Sequence, residues 1–263
     1  MYDLKFMIVH RILNKFKSKY DKWSYKRSLK NIDTLYEDDF LLIKGIQNIN
    51  SKFCTLSFTG VGHAMGGMNL QKEEFISNSI KNGNVLFITD KKRTWGNSID
   101  VKTVQNVLND FGDFDEIIAI GNSMGGTNAL LLGPLLGAQT VISFVPQYSV
   151  HKDIFKNLHN ENWNLWRDSI PLIKYKTADC SQIDNVREYI FHGQNKSDMP
   201  HAEKFQKREN RIHLVFKDTD HNLCRSLKTA GILSLIIQKC IAGCSQTELE
   251  KIIASAGLVA FCM

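Results

Sequence analysis

Short runs of apolar, β-branched and aromatic residues alternate along this chain with longer segments whose apolar positions recur at helical spacing. The short runs predict strands over 41–46, 53–59, 85–90, 117–122, 140–145, 188–192 and 211–216. Val85-Leu-Phe-Ile-Thr89 and Ile117-Ile-Ala-Ile120 are nearly unbroken apolar stretches. Strands buried on both faces have this pattern, which predicts a mostly parallel central sheet flanked by helices. Helices are predicted over 71–82, 99–110, 124–136, 199–208, 223–242 and 247–256, the last opened by Thr247 and Glu250 at capping-box spacing. With no internal repeat and no linker, residues 36–263 are expected to form one α/β domain.

Two segments break the alternation. Leu4, Ile8, Ile12, Phe16 and Tyr20 recur every four residues among lysines and arginines. They predict a basic amphipathic helix, set apart as residues 1–35, that either packs on the domain or contacts an anionic membrane or polymer. Residues 146–186 carry little strand signal but hold Tyr148, Trp163, Trp166 and Tyr175. Their stiff aromatic surface suits a helical cap over a site; ordinary helical packing is the alternative.

Charge sharpens this division. Of the net +6 over 263 residues, residues 1–30 contribute +7, nine lysines and arginines against Asp3 and Asp21, leaving the rest at −1. Basicity is therefore local, and a nucleic-acid partner is not expected. No run of eighteen apolar residues predicts a membrane span, and the first ten residues lack the pattern of a secretory signal. Six cysteines without a Cys-x-x-Cys pair fit a reduced, cytoplasmic setting, with or without peripheral membrane contact. The scattered histidines offer no metal-ligand spacing, so no metal is expected.

The sharpest chemical signal is Gly121-Asn-Ser-Met-Gly-Gly126, which follows an apolar strand and opens an Ala/Leu-rich helix. A Gly-x-Ser-x-Gly string in that context is a nucleophile elbow, with Ser123 on a tight strand-to-helix turn. Side chains at Gly121 or Gly125 would collide with the neighbouring strand and helix. The helix start aims the Met124 amide at a developing oxyanion. A serine hydroxyl needs a base and an orienting acid, which in elbow folds follow in the order acid, histidine. His221, between the last predicted strand and the C-terminal helix, is the expected base. Asp198 is the only carboxylate in the loop after the preceding strand and the expected acid, with Asp184 as fallback; Asp218 and Asp220 are expected to be surface charges. The glycine-rich loop Thr59-Gly-Val-Gly-His63 supplies the second oxyanion donor, assigned to the Val61 amide. Gly60, His63, Asp90, Trp95, Trp163 and Trp166 are expected to line the substrate site.

Together these residues resemble the α/β-hydrolase family over about residues 40–242. Within it, Gly121–Gly137, Phe144-Val-Pro-Gln147 and Asp198-Met-Pro-His-Ala202 look like a bacterial group associated with surface-polysaccharide synthesis. The resemblance implies an α/β-hydrolase fold and acyl transfer at Ser123. The expected function is a serine-dependent acyl hydrolase of the carboxylesterase kind, needing no cofactor and acting on a small-molecule ester. One alternative is an O-acetyltransferase that moves an acyl group from acetyl-CoA to a glycan hydroxyl, the basic N-terminal helix holding the glycan or the CoA phosphates. Another is a non-catalytic binding module on the same scaffold.

Overall fold

The structure, a computed structural model, describes residues 32–62, 71–158, 161–179, 183 and 185–263. The expected helix at the N-terminus, His63 and Asp184 lie outside these residues. Contacts group Thr34–Met263 into one compact unit.

Its centre is a nine-stranded sheet of β1 (Asp33–Glu37), β2 (Leu41–Ile46), β3 (Phe53–Phe58), β4 (Asn84–Asp90), β5 (Glu116–Asn122), β6 (Thr140–Phe144), β7 (Arg187–Gly193), β8 (Arg211–Phe216) and β9 (Ala260–Cys262). The order across the sheet is β1-β2-β4-β3-β5-β6-β7-β8-β9. From β4 to β8 all pairings are parallel, while β2 and β9 join antiparallel to β4 and β8. Among the described residues the helices are α1 (Ile76–Ser79), α2 (Val101–Phe111), α3 (Met124–Leu132), α4 (Glu161–Asp168), α5 (Met199–Ala202), α6 (Leu223–Thr229), α7 (Leu233–Ile241) and α8 (Gln246–Ser255).

The near-continuous apolar strands serve two cores at once. Ala119, Val141 and Ile190 join Leu56, Phe58 and the buried faces of α2 and α3. Their neighbours Ile118, Ile120, Ile142, Tyr189 and Phe191 pack on the opposite face with Leu227, Ile236, Leu249 and Ile253. Successive side chains point to opposite faces, so burying both faces requires apolar residues at nearly every position. Every residue of α3 is buried, as in a helix wedged between layers rather than lying on a surface.

The structure corrects several expected elements. The 71–82 helix reduces to α1 and a following 3₁₀ turn, Ile80–Asn82, and the 199–208 helix to α5. The expected helix over 223–242 is two, α6 and α7, separated by Gly231 at φ 79°. The capping box of α8 is formed by Ser245 and Glu248 rather than Thr247 and Glu250. In 146–186 the only helix among the described residues is α4; the other described residues of the expected helical cap are irregular. Side chains there do the work of a helix ladder. Asn164 Oδ1 accepts from Leu158 N at 2.8 Å, and Asn97 Oδ1 accepts from the amides of Lys174 and Tyr175 at 2.6 and 3.0 Å.

The β5–α3 turn explains its glycines. A Cβ on Gly121 would run into the carbonyl of Gly125, and one on Gly125 into the carbonyl of Phe58 on β3. Because the obstacles are backbone, they cannot rotate away. Gly121→Ala is expected to cost about 3 kcal/mol, lowering the melting temperature by roughly 6–12 °C. A calorimetric scan with a midpoint unchanged from wild type would contradict this packing.

Candidate active site

Ser123 stands between β5 and α3 at φ 56°, ψ −124°, a conformation non-glycine residues enter at a cost of about 1–3 kcal/mol. Its amide donates to the Phe144 carbonyl at 2.8 Å and its carbonyl accepts from the Thr127 amide at 3.0 Å. The strained turn is thus pinned to β6 on one side and to α3 on the other. The side chain stands at the C-terminal edge of the parallel strands.

Two loops reach that edge. His221 follows β8, and its Nε2 lies 2.9 Å from Ser123 Oγ. Asp198 follows β7, and its Oδ1 lies 2.6 Å from His221 Nδ1. A carboxylate only accepts, so Nδ1 carries the proton and Nε2 offers its lone pair to the serine hydroxyl. Asp198 comes five residues after Gly193, and the longer loop is absorbed by Asn195. Asn195 Oδ1 accepts from the Ser197 and Asp198 amides at 2.9 and 3.1 Å, and its Nδ2 donates to Asp198 Oδ2 at 2.7 Å. Burial pushes the Asp198 carboxyl up, but His221 and Asn195 outweigh it and hold the group below the usual carboxylate range. Asp220 spends its oxygens on Asn222, and Asp218 and Asp220 are exposed.

Met124 is the first residue of α3, where amides have no acceptor within the helix. Val61 leaves β3, and its side chain packs with Met124, Trp95, Val150, Leu158, Trp163 and Ile170 in a third apolar cluster. The Trp163 ring lies 5.3 Å from that of His221, and Trp166 carries the Arg93 guanidinium 5.2 Å from its ring centre. Gly60 is occupied structurally, donating to Glu74 Oε1 at 3.3 Å and accepting from Gln71 Nε2 at 3.0 Å. Desolvation pushes the Glu74 carboxyl up to about 8.

Asp90 and Trp95 both have structural partners. Asp90 is fully buried. Its Oδ2 accepts from Thr94 N, Thr94 Oγ1 and Gly96 N at 2.8, 2.9 and 3.0 Å, folding the loop after β4. Trp95 is equally enclosed and donates from Nε1 to Gln147 Oε1 at 2.9 Å. Gln147 has no assigned role in the sequence reading, yet its Nε2 lies 3.3 Å from Ser123 Oγ. The signal available for it was position, three residues past the end of β6 on the edge that carries Ser123.

Beneath the site lies a pair of imidazoles. His192 Nε2 lies 2.9 Å from the Pro146 carbonyl and must donate to it, so its Nδ1 accepts from His213 Nε2 at 2.9 Å. Burial pushes His192 down to about 4 and His213 to about 2. In the unfolded chain both titrate near 6.5. The neutral folded form therefore contributes fully above pH 6.5 and loses stability as the pH falls towards 4, where the unfolded chain binds more protons. His192 alone accounts for about 3 kcal/mol at pH 4 relative to pH 7. Urea unfolding midpoints at the two pH values measure this loss; equal midpoints would rule it out.

Neither a family model nor a curated relative matches the sequence. Among solved structures, the capsule O-acetyltransferase of Neisseria meningitidis serogroup A is similar at 14% identity and a TM-score of 0.51, covering 76% of this chain and 93% of that one. A mutant of it solved in complex with CoA gives 0.50 with the same identity and coverage. Thermogutta terrifontis esterase 2, phosphonylated by sarin, is similar at 14% identity and 0.51, covering 78% of this chain and 91% of that one. At these identities the likeness speaks for architecture, and with the sheet order and the elbow described above, the chain has the α/β-hydrolase fold.

Proposed function

We propose that this protein is a serine-dependent acyl hydrolase working through an acyl-enzyme. The reading is carried by the chain of contacts from Ser123 Oγ to His221 to Asp198, at 2.9 and 2.6 Å. Ser123 Oγ attacks the acyl carbon while its proton passes to His221 Nε2. The carbonyl oxygen takes up the negative charge, facing the amides of Met124 and Val61. Collapse breaks the bond to the leaving alcohol, which takes the proton from His221, and leaves an ester on Ser123. Water then attacks that ester, gives its proton to His221, and His221 returns it to Ser123 Oγ as the acid departs. Asp198 holds the imidazole with Nδ1–H inward and supports the imidazolium formed in each half. A fluorophosphonate probe is expected to label the wild-type protein and to leave S123A unlabelled; equal labelling of the two removes Ser123 from the chemistry.

A second reading keeps both halves and replaces water with a sugar hydroxyl. The enclosure of Ser123, 4% exposed, with the Trp163 ring 5.3 Å from that of His221, favours it, because excluding water decides between transfer and hydrolysis. The architectural likeness to a capsule O-acetyltransferase and its CoA complex points the same way, with acetyl-CoA as donor. Incubation with acetyl-CoA and candidate polysaccharides separates the readings. Thioester consumed with acetylated glycan formed supports transfer, and thioester consumed without it supports hydrolysis.

A further inference from the structure

We propose that Gln147 is a catalytic residue of this site, whose side-chain amide donates to Ser123 Oγ and thereby directs the serine proton to His221. The inference rests on the reading of Ser123 as nucleophile.

The amide's orientation follows from its neighbours. Trp95 Nε1 is a donor with no acceptor capacity, so the Gln147 atom facing it at 2.9 Å is the oxygen. Nε2 then faces Ser123 Oγ at 3.3 Å and the Val145 carbonyl at 3.4 Å. Both are atoms an N–H can donate to, so both N–H groups and one lone pair of the oxygen are used. The residue is 1% exposed and its backbone is fixed as firmly. Its N–H donates to Thr127 Oγ1 at 2.9 Å, and Thr127 Oγ1 donates to its carbonyl at 3.0 Å. On the preceding side, Val145 sits at φ 44°, a left-handed conformation costly for a β-branched residue. The Val145 amide donates to the Phe191 carbonyl at 2.6 Å, and His192 holds the Pro146 carbonyl. A strained and doubly anchored turn thus delivers one amide to the nucleophile.

The consequence is a choice of proton direction. A hydroxyl that accepts from Gln147 cannot also donate to it, so its single proton is left for His221 Nε2. Once that proton has moved, the same N–H faces an oxygen with greater negative charge, and it does so again when Oγ leaves the acyl carbon during deacylation.

Q147E tests this, because it keeps the shape and the acceptor for Trp95 while replacing the donor at Ser123 by an acceptor. Fluorophosphonate labelling of Q147E at pH 8 is expected to be about 30-fold slower than wild type. The deficit should shrink as the pH falls towards 5.5 and the new carboxyl regains a proton to donate, which a merely structural defect would not do. Q147M, of similar length but without a donor, should show a similar deficit at every pH; it also leaves the buried Trp95 Nε1 without its acceptor, so its melting temperature should fall by a few degrees and labelling is compared well below both midpoints. If Q147E does not fold, Q147M alone carries the test. Labelling of Q147M within twofold of wild type, or a Q147E deficit independent of pH, overturns the role of Gln147 while leaving Ser123 in place. A wild-type protein that no fluorophosphonate labels overturns the nucleophile reading and this inference with it.

Discussion

Replacing Ser123 with alanine is expected to lower kcat on an activated ester by on the order of 10⁵-fold or more while leaving the fold intact. The hydroxyl is the sole group removed, and its partners retain other bonds: His221 keeps Asp198 at 2.6 Å and Gln147 keeps Trp95 at 2.9 Å. Alanine also meets no steric obstacle that serine does not already meet at φ 56°. The thermal midpoint therefore stays near wild type, and inactivity cannot be assigned to unfolding. H221A is expected to be nearly as inactive, and S123A/H221A no worse than either, because residues acting as one unit lose their effect together. Residual rates measured with p-nitrophenyl acetate decide this. If S123A kept more than about 1% of wild-type turnover, or if the two losses multiplied in the double variant, Ser123 and His221 would not be working as one nucleophile.

What the sequence made legible, it did through constraints that leave few choices. The elbow is readable because Gly121 and Gly125 have no room for a Cβ, and the central strands because two buried faces demand apolar residues at every step. The edges carry neither constraint. In β1 four of five residues are exposed, and β9 has three residues in all, so both are strands mainly because a paired neighbour accepts them. The irregular stretch after β6 defeats a periodicity reading, since its backbone groups are satisfied by particular side chains such as Asn97 and Asn164, residues distant from or irregularly placed around the groups they serve. Asp90 is a related case. Its place at the end of β4 fits a substrate contact, but its carboxylate is turned back on its own loop. Gln147 stood in a segment that carried the resemblance and just past β6, but neither gave it a role; its meaning comes from Trp95, 52 residues earlier, and Ser123, 24 residues earlier.

Asp198→Asn is expected to lower kcat by about 10⁴-fold with almost no change in shape, and the reason lies in Asn195. That side chain donates from Nδ2 to Asp198 Oδ2 at 2.7 Å, and its longer contacts to the Gly193 and Thr219 carbonyls at 3.2 and 3.3 Å also require a donor there. Asn195 cannot turn over without setting its oxygen against two carbonyls. An asparagine at 198 must therefore give its oxygen to Asn195 and its NH₂ to His221 Nδ1. The opposite orientation would bring two NH₂ groups together at 2.7 Å. His221 Nδ1 then becomes the acceptor, and the ring's proton sits on Nε2, 2.9 Å from Ser123 Oγ. An imidazole in that tautomer donates to the serine hydroxyl and has no lone pair with which to take its proton. Nitrogen-15 NMR of labelled D198N should find the His221 proton on Nε2, where wild type carries it on Nδ1, alongside the loss of turnover. Turnover within tenfold of wild type, or an unchanged tautomer, would mean that His221 takes its orientation from some group other than Asp198.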